Sequence, residues 1–195
     1  MEWQGPTSRG VFVMGEECEA EVYDEGFSTN PKYFMSPEEA PWAAVWRAVA
    51  DLVPPKKSVL DLGCGPGHLA AMIGKRETYI GIDFSRVAIA MARTRSPWAD
   101  WRIRDLRTID RLPMTQIVVC TEVLEHIRGD LRLLKRIAPL RRVIISVPTY
   151  DSRTHVRFFP TKGQAIARYK GLIRFDETLE VGDRHFVLSG RKRRR

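Results

Sequence analysis

Short apolar runs recur along this chain, and between them apolar residues return at helical spacing. Val59–Leu62 and Tyr79–Asp83 read as buried strands, as do residues 100–105, 116–120 and 143–147. Between and around them, Leu69, Met72 and Ile73 mark a helix after the first strand. Further helices are expected over 85–95, 129–138 and 161–170. Ahead of the first strand, Trp42, Val45, Trp46, Val49 and Leu52 form one face of a helix expected over 37–52. Ser36 and Glu39 resemble its capping box, and Pro54-Pro55 stops it. Residues 172–175 and 185–188 read as a final pair of strands. Residues 1–36 show no clear period and are expected to be an irregular extension or lid, with aromatic residues at Tyr23, Phe27, Tyr33 and Phe34. Strand-helix alternation implies an α/β fold with a mostly parallel sheet and right-handed crossovers.

A chain of 195 residues can bury one sizeable core. It has no apolar run of transmembrane length and no visible secretory signal, and Cys18, Cys64 and Cys120 are scattered without a Cys-x-x-Cys pair. A cytoplasmic protein with reduced thiols is the expectation. Charge is uneven. Residues 1–58 hold five Lys/Arg against ten Asp/Glu, a net of −5, so the remainder must carry +13 to give the formal net charge of +8. Arg191 to Arg195 form a basic tail, expected either to be a solvated end or to hold RNA nonspecifically. The excess base before it favours an anionic substrate over a cationic one.

The chemistry concentrates after the strands. Asp61-Leu62-Gly63-Cys64-Gly65-Pro66-Gly67 follows the first, where open α/β sheets bind ligands. A dinucleotide turn would run Gly-x-Gly-x-x-Gly; here the spacing is Gly-x-Gly-x-Gly, preceded by an acid that would repel a diphosphate and suit an amino group. This string closely resembles motif I of the class I S-adenosylmethionine (SAM)-dependent methyltransferases. The resemblance covers roughly residues 37–190. It implies a Rossmann-like sheet of seven strands in the order 3-2-1-4-5-7-6, with strand 7 antiparallel and helices on both faces. It also assigns expected cofactor roles. Asp61 would hold the methionine amino group, and Gly63, Cys64, Gly65 and Gly67 would form the turn beneath the methionine portion. Asp83 would accept from the ribose hydroxyls, and Phe84 would pack on adenine. Asp105 would accept from the adenine amino group, and Leu106 would offer its backbone N–H.

After the fourth strand stands Thr121-Glu122-Val123-Leu124-Glu125-His126. If this is a helical turn, Glu122, Glu125 and His126 share one face. With His155, which follows the fifth strand, they form a candidate divalent-metal set. This pattern is similar to that of the ubiquinone-pathway O-methyltransferases and the small-RNA 3′-terminal 2′-O-methyltransferases. It also occurs in SAM enzymes without a metal, in which case Glu122 touches the cofactor, Glu125 caps or salt-bridges, and His126 packs against the substrate pocket. For a hydroxyl acceptor, His126 or His155 is the candidate base, and neighbouring carboxylates such as Glu125 would raise its pKa. An Asn-Pro-Pro-Tyr-type motif is missing there, which argues against amino-methylating enzymes acting on DNA bases or glutamine amides. The leading expectation is O-methylation of a small anionic or hydroxylated metabolite. An RNA 2′-hydroxyl is the alternative acceptor, and a catalytically silent SAM-fold scaffold the alternative of another class. His68 is expected to be structural or to meet the cofactor through its backbone, and His185 to be packed or on the surface. Arg153 and Arg157 would grip a carboxylate or phosphate, or form an ordinary surface pair.

Overall fold

A computed structural model describes residues 15–194. Its seven strands are β1 (Val59–Leu62), β2 (Tyr79–Asp83), β3 (Asp100–Ile103), β4 (Ile117–Thr121), β5 (Arg142–Pro148), β6 (Ile173–Val181) and β7 (His185–Lys192). They form one sheet in the order β3-β2-β1-β4-β5-β7-β6. β7 runs antiparallel to both β5 and β6, and the other pairs are parallel. The order expected from the resemblance is therefore the one found.

Every residue of β1, β2 and β4 is buried, as strands covered on both faces must be. Along β4 the side chains alternate between two apolar layers. Val118 and Cys120 join Leu133 and Leu134 of α5 (Asp130–Lys135) and Ala165 and Tyr169 of α6 (Lys162–Tyr169). Ile117 and Val119 face α2 (Ala43–Asp51), α3 (His68–Ile73) and α4 (Arg86–Arg95) through Val45, Val49, Leu69, Ile73, Ile89 and Ala92. The strand order reverses between β1 and β4, which opens a crevice at their carboxyl ends.

Three expectations need correction. Residues 1–36 are not uniformly irregular: α1 (Ala20–Thr29) is a helix and Pro31–Tyr33 a 3₁₀ turn, while residues 1–14 lie outside the described residues. Val22, Tyr23, Gly26 and Phe27 share one side of α1. Gly26, Ser28 and Thr29 are poor helix formers that dilute this pattern in the sequence. The helix expected over 37–52 begins only at Ala43. Ser36 and Glu39 do bond, at 2.8 Å, but they close a preceding turn. The basic tail is largely absorbed by the sheet. Arg191 and Lys192 belong to β7, Lys192 is buried, and the Arg193 N–H donates to Leu172 O; Arg195 lies outside the described residues.

Candidate active site

The glycine turn shapes one side of the crevice. Gly63 N–H and Cys64 N–H donate to Ile82 O at 2.8 and 3.1 Å, which folds the turn back against β2. Gly63 sits at φ +72°, and a Cβ there would run into the Val123 side chain. Only glycine meets both demands. Gly65 N–H donates to Asp83 Oδ2, and Ser85 N–H to Asp83 Oδ1, each at 2.9 Å. Ser85, not Asp83, caps α4 by accepting from Ala88 N–H. Burial pushes the Asp83 carboxyl up to about 6, against the opposing pull of these backbone donors. Asp61 lies behind the cavity wall. Tyr79 OH donates to its Oδ2 at 2.7 Å, while its Oδ1 is buried without a partner. Burial raises this carboxyl to about 7. An acid held so, with one oxygen unpaired, suits a cationic group brought in by a ligand. Cys64 is buried and its thiol is pushed well up, so it serves as a small apolar wall and not as a thiolate.

The crevice widens into a cavity of about 560 Å³. Phe84, Asp105 and Leu106 line it beside the turn. The Asp105 carboxylate is bound by Arg107, which also pairs with Glu19 ahead of α1 at 2.8 Å. α1 roofs the cavity. Asp24 accepts from Ser85 Oγ at 2.5 Å and from Val87 N–H at 3.2 Å, fixing α1 to the amino end of α4. This places Phe27 over the glycine turn and Tyr23 against Phe84 and His126, with ring centroids 5.2 and 5.8 Å away. The Tyr23 hydroxyl is buried without a partner.

The opposite wall follows β4 and β5. Glu122 adopts φ +54°, a left-handed conformation that interrupts the helical turn expected there, and residues Leu124–His126 form a 3₁₀ turn instead. Glu122 is bonded instead toward β5 and β7. Its N–H donates to Ser146 Oγ at 3.0 Å, Ser146 Oγ–H donates back to its Oε1 at 2.7 Å, and His185 Nε2 lies 3.3 Å from its Oε2. Glu122 therefore leaves the candidate metal set.

Glu125, His126 and His155 do converge, with one ligand atom from each within 4.8 Å of the others. His126 Nδ1 lies 2.8 Å from Thr154 O, and His155 Nδ1 lies 3.2 Å from Tyr150 O. Carbonyl oxygens only accept, so both rings carry their proton on Nδ1 and present an Nε2 lone pair. Burial, reinforced by the neighbouring His155, lowers His126 to about 4, and burial also lowers His155; both are neutral at pH 7. Both Glu125 oxygens are buried without partners, and burial with the nearby Glu122 holds its carboxyl well above the usual range.

Arg157 is not a substrate grip. It donates to Leu124 O and Ile127 O and faces the buried Asp130 at 3.5 Å, so it holds the 3₁₀ turn in place. Arg153 lines the cavity. His68 is buried, stacks on Trp46 with centroids 4.6 Å apart, lies 3.2 Å from Met35 O through Nε2, and also lines the cavity. Sequence reasoning missed the partnership of Glu122 with Ser146 and His185, because it rests on the pairing of β5 with β7. It also missed Asp24, for which an acid four residues before Ser28 gave no signal.

A methyltransferase-domain family model matches residues 59–143. Trans-aconitate 2-methyltransferase of Azoarcus sp. (strain BH72) is 28% identical over 122 residues, covering 58% of this chain and 48% of that protein. A ubiquinone biosynthesis O-methyltransferase of Vibrio vulnificus (strain YJ016) is 30% identical over 92 residues, covering 43% and 39%. The N-methyltransferase NodS of Bradyrhizobium japonicum WM9, solved with S-adenosyl-L-homocysteine, superposes with a TM-score of 0.69 at 16% identity, covering 89% of this chain and 98% of that one. A 1,6-didemethyltoxoflavin-N1-methyltransferase of Burkholderia thailandensis gives 0.71 at 15% identity, covering 90% and 87%. The solved structures establish the fold. Over residues 59–143 the chain is similar to methyltransferase domains, and over most of its length it shares the fold of SAM-dependent methyltransferases. It spans less than half the length of these two curated relatives. No described helix is long and apolar enough to cross a membrane.

Proposed function

We propose that this chain transfers the methyl group of SAM to an oxygen of a small anionic or hydroxylated metabolite. The observation that carries this reading is a pair of neutral imidazoles, His126 and His155, each with Nδ1 tied to a carbonyl and Nε2 without a hydrogen bond, His126 Nε2 lying 3.8 Å from Glu125 Oε1, on the same cavity as the glycine turn. SAM, when bound, supplies an electrophilic methyl on a sulfonium. The Asp83 carboxylate suits its ribose hydroxyls, Gly63 and Gly65 leave the backbone low enough to admit it, and Asp61, behind the cavity wall, would meet its amino group through water. Phe84 and Leu106 offer apolar walls for the adenine, and Asp105 stands at its edge, already engaged by Arg107. α1 excludes water from the reacting groups. A hydroxyl acceptor must lose its proton, and an imidazole neutral at pH 7 with an accessible lone pair can take it. The name of the Vibrio vulnificus relative, an O-methyltransferase, agrees with this acceptor atom.

A second reading keeps the same residues. Two imidazoles with fixed tautomers and the unpartnered Glu125 fit a divalent ion. They would then be ligands and not bases, and the ion would lower the hydroxyl's pKa. An RNA 2′-hydroxyl acceptor belongs with this alternative.

The test incubates the protein with methyl-labelled SAM and an extract of its source cells, with and without EDTA. Label in small molecules, undiminished by EDTA, is the expected result. Label in RNase-sensitive polymer, lost with EDTA, would replace the metabolite reading with the metal-dependent RNA one. If the protein binds no SAM at all, it is a scaffold.

A further inference from the structure

At the pole of the sheet opposite the cavity, β5 begins, β7 ends and β6 begins. Arg191 of β7 is the register partner of both Arg142 of β5 and Arg174 of β6. Directly paired residues on neighbouring strands put their side chains on one face. Three guanidinium groups therefore stand in a row across three adjacent strands. The row continues the face that carries Val187 and Ile144, past the packing of α2. Like charges directly opposite each other destabilise a sheet. One acid offsets them: Asp176, beside the bulge of β6, pairs with Arg142 at 3.2 Å. Arg174 and Arg191 are exposed, and so are Lys170 and Arg193, whose segments are tied together where Arg193 Nε–H donates to Lys170 O at 2.7 Å.

This arrangement costs stability, and beyond the Arg142–Asp176 pair neither Arg174 nor Arg191 makes an ion pair within the described residues, which calls for a partner. A guanidinium fork matches a phosphate in geometry as well as charge. A line of such groups on rigid strands matches a chain of phosphates better than a single small anion. We infer that this arginine row is a docking surface for the phosphate backbone of a nucleic acid, RNA in the first instance. No aromatic side chain stands in the row, so it reads phosphates and not bases. The seven residues of β5 separate it from the cavity by about 20 Å. The surface is thus distinct from the acceptor site and does not depend on what is methylated.

The register supplies an unusual test. In Arg191→Glu the new carboxylate lies between Arg142 and Arg174, so the variant should melt at a higher temperature than the wild type while losing nucleic acid. With a fluorescein-labelled mixed-sequence RNA oligonucleotide, fluorescence anisotropy should show saturable binding to the full chain, weakening steeply with salt. Arg191→Glu and Arg174→Glu should each weaken it roughly tenfold and flatten the salt dependence. SAM affinity should be unchanged in both. Equal RNA binding by wild type and by a folded Arg191→Glu overturns the proposal. So does failure of the wild type to bind RNA while it binds vesicles containing phosphatidylserine, which would make the row a membrane contact.

Discussion

On one side of the cavity the ligand-facing groups arrive in order: Gly63 and Gly65 directly after β1, Asp83 at the end of β2, and Asp105 just past β3. Their partners are local or lie on the next strand, as where Asp83 bonds Gly65 and Ser85. On the other side, only His155 has a local partner, Tyr150 O. His126 is oriented by Thr154, Glu122 by Ser146 and His185, and Tyr23 reaches its place because Asp24 caps α4 sixty residues later in the chain. The first side is a binding cradle that any member of the fold can build from strand ends. The second is assembled from distant segments, so it can diverge without disturbing the sheet. One side is suited to a constant ligand and the other to a particular acceptor.

Substitutions on the second side should separate catalysis from cofactor binding. His126→Ala should lower methyl transfer by about 10²- to 10⁴-fold, the range for losing a general base, with SAM affinity kept; calorimetry alongside turnover reads both. Equal losses of binding and turnover would erase the proposed division. On the first side, Gly63→Ala should abolish measurable SAM binding and lower stability by roughly 1–2 kcal/mol, since alanine is strained at φ +72° and its methyl meets Val123. Gly63→Ala with Val123→Ala relieves the collision but not the strain, so denaturation should show partial recovery. Asp24→Ala loosens the roof and should cost about 1 kcal/mol of stability, as lost caps do. It should also raise proteolytic cleavage within α1, with the sheet intact.

A further effect concerns pH. The folded pKa of Asp61 is raised to about 7 from an ordinary 3.8. The folded state therefore holds a proton that the unfolded chain releases. The stability this contributes is full below about pH 4 and is lost as pH rises toward 7. Asp61→Asn should flatten that decline in melting curves taken without SAM.

The sheet order and the glycine turn were legible because strands buried on both faces leave apolar runs, and because motif I is contiguous. The helix expected over 161–170 was legible too, and Thr161 and Gln164 close a local capping box at its start. Other features depend on distant partners. The left-handed Glu122 carries no local mark, and the pattern Glu-x-x-Glu-His suggested a helical face that the backbone does not form. His185 looked inert because its role depends on lying opposite Pro148 across β5 and β7. Arg157 was open to reading as a substrate grip or a surface residue because its carbonyl partners could not be seen. The tail looked free because composition cannot show that β7 extends through Lys192.

The central claim is that the cradle built from β1 and β2 binds SAM through Asp83. Calorimetric titration of SAM into the wild type and into Asp83→Ala, with folding checked by circular dichroism, tests it directly. The expected result is one-to-one binding by the wild type and about 10- to 100-fold weaker binding by a folded variant, the loss of charge-assisted hydrogen bonds. Equal affinities, or no binding by the wild type, would contradict the account.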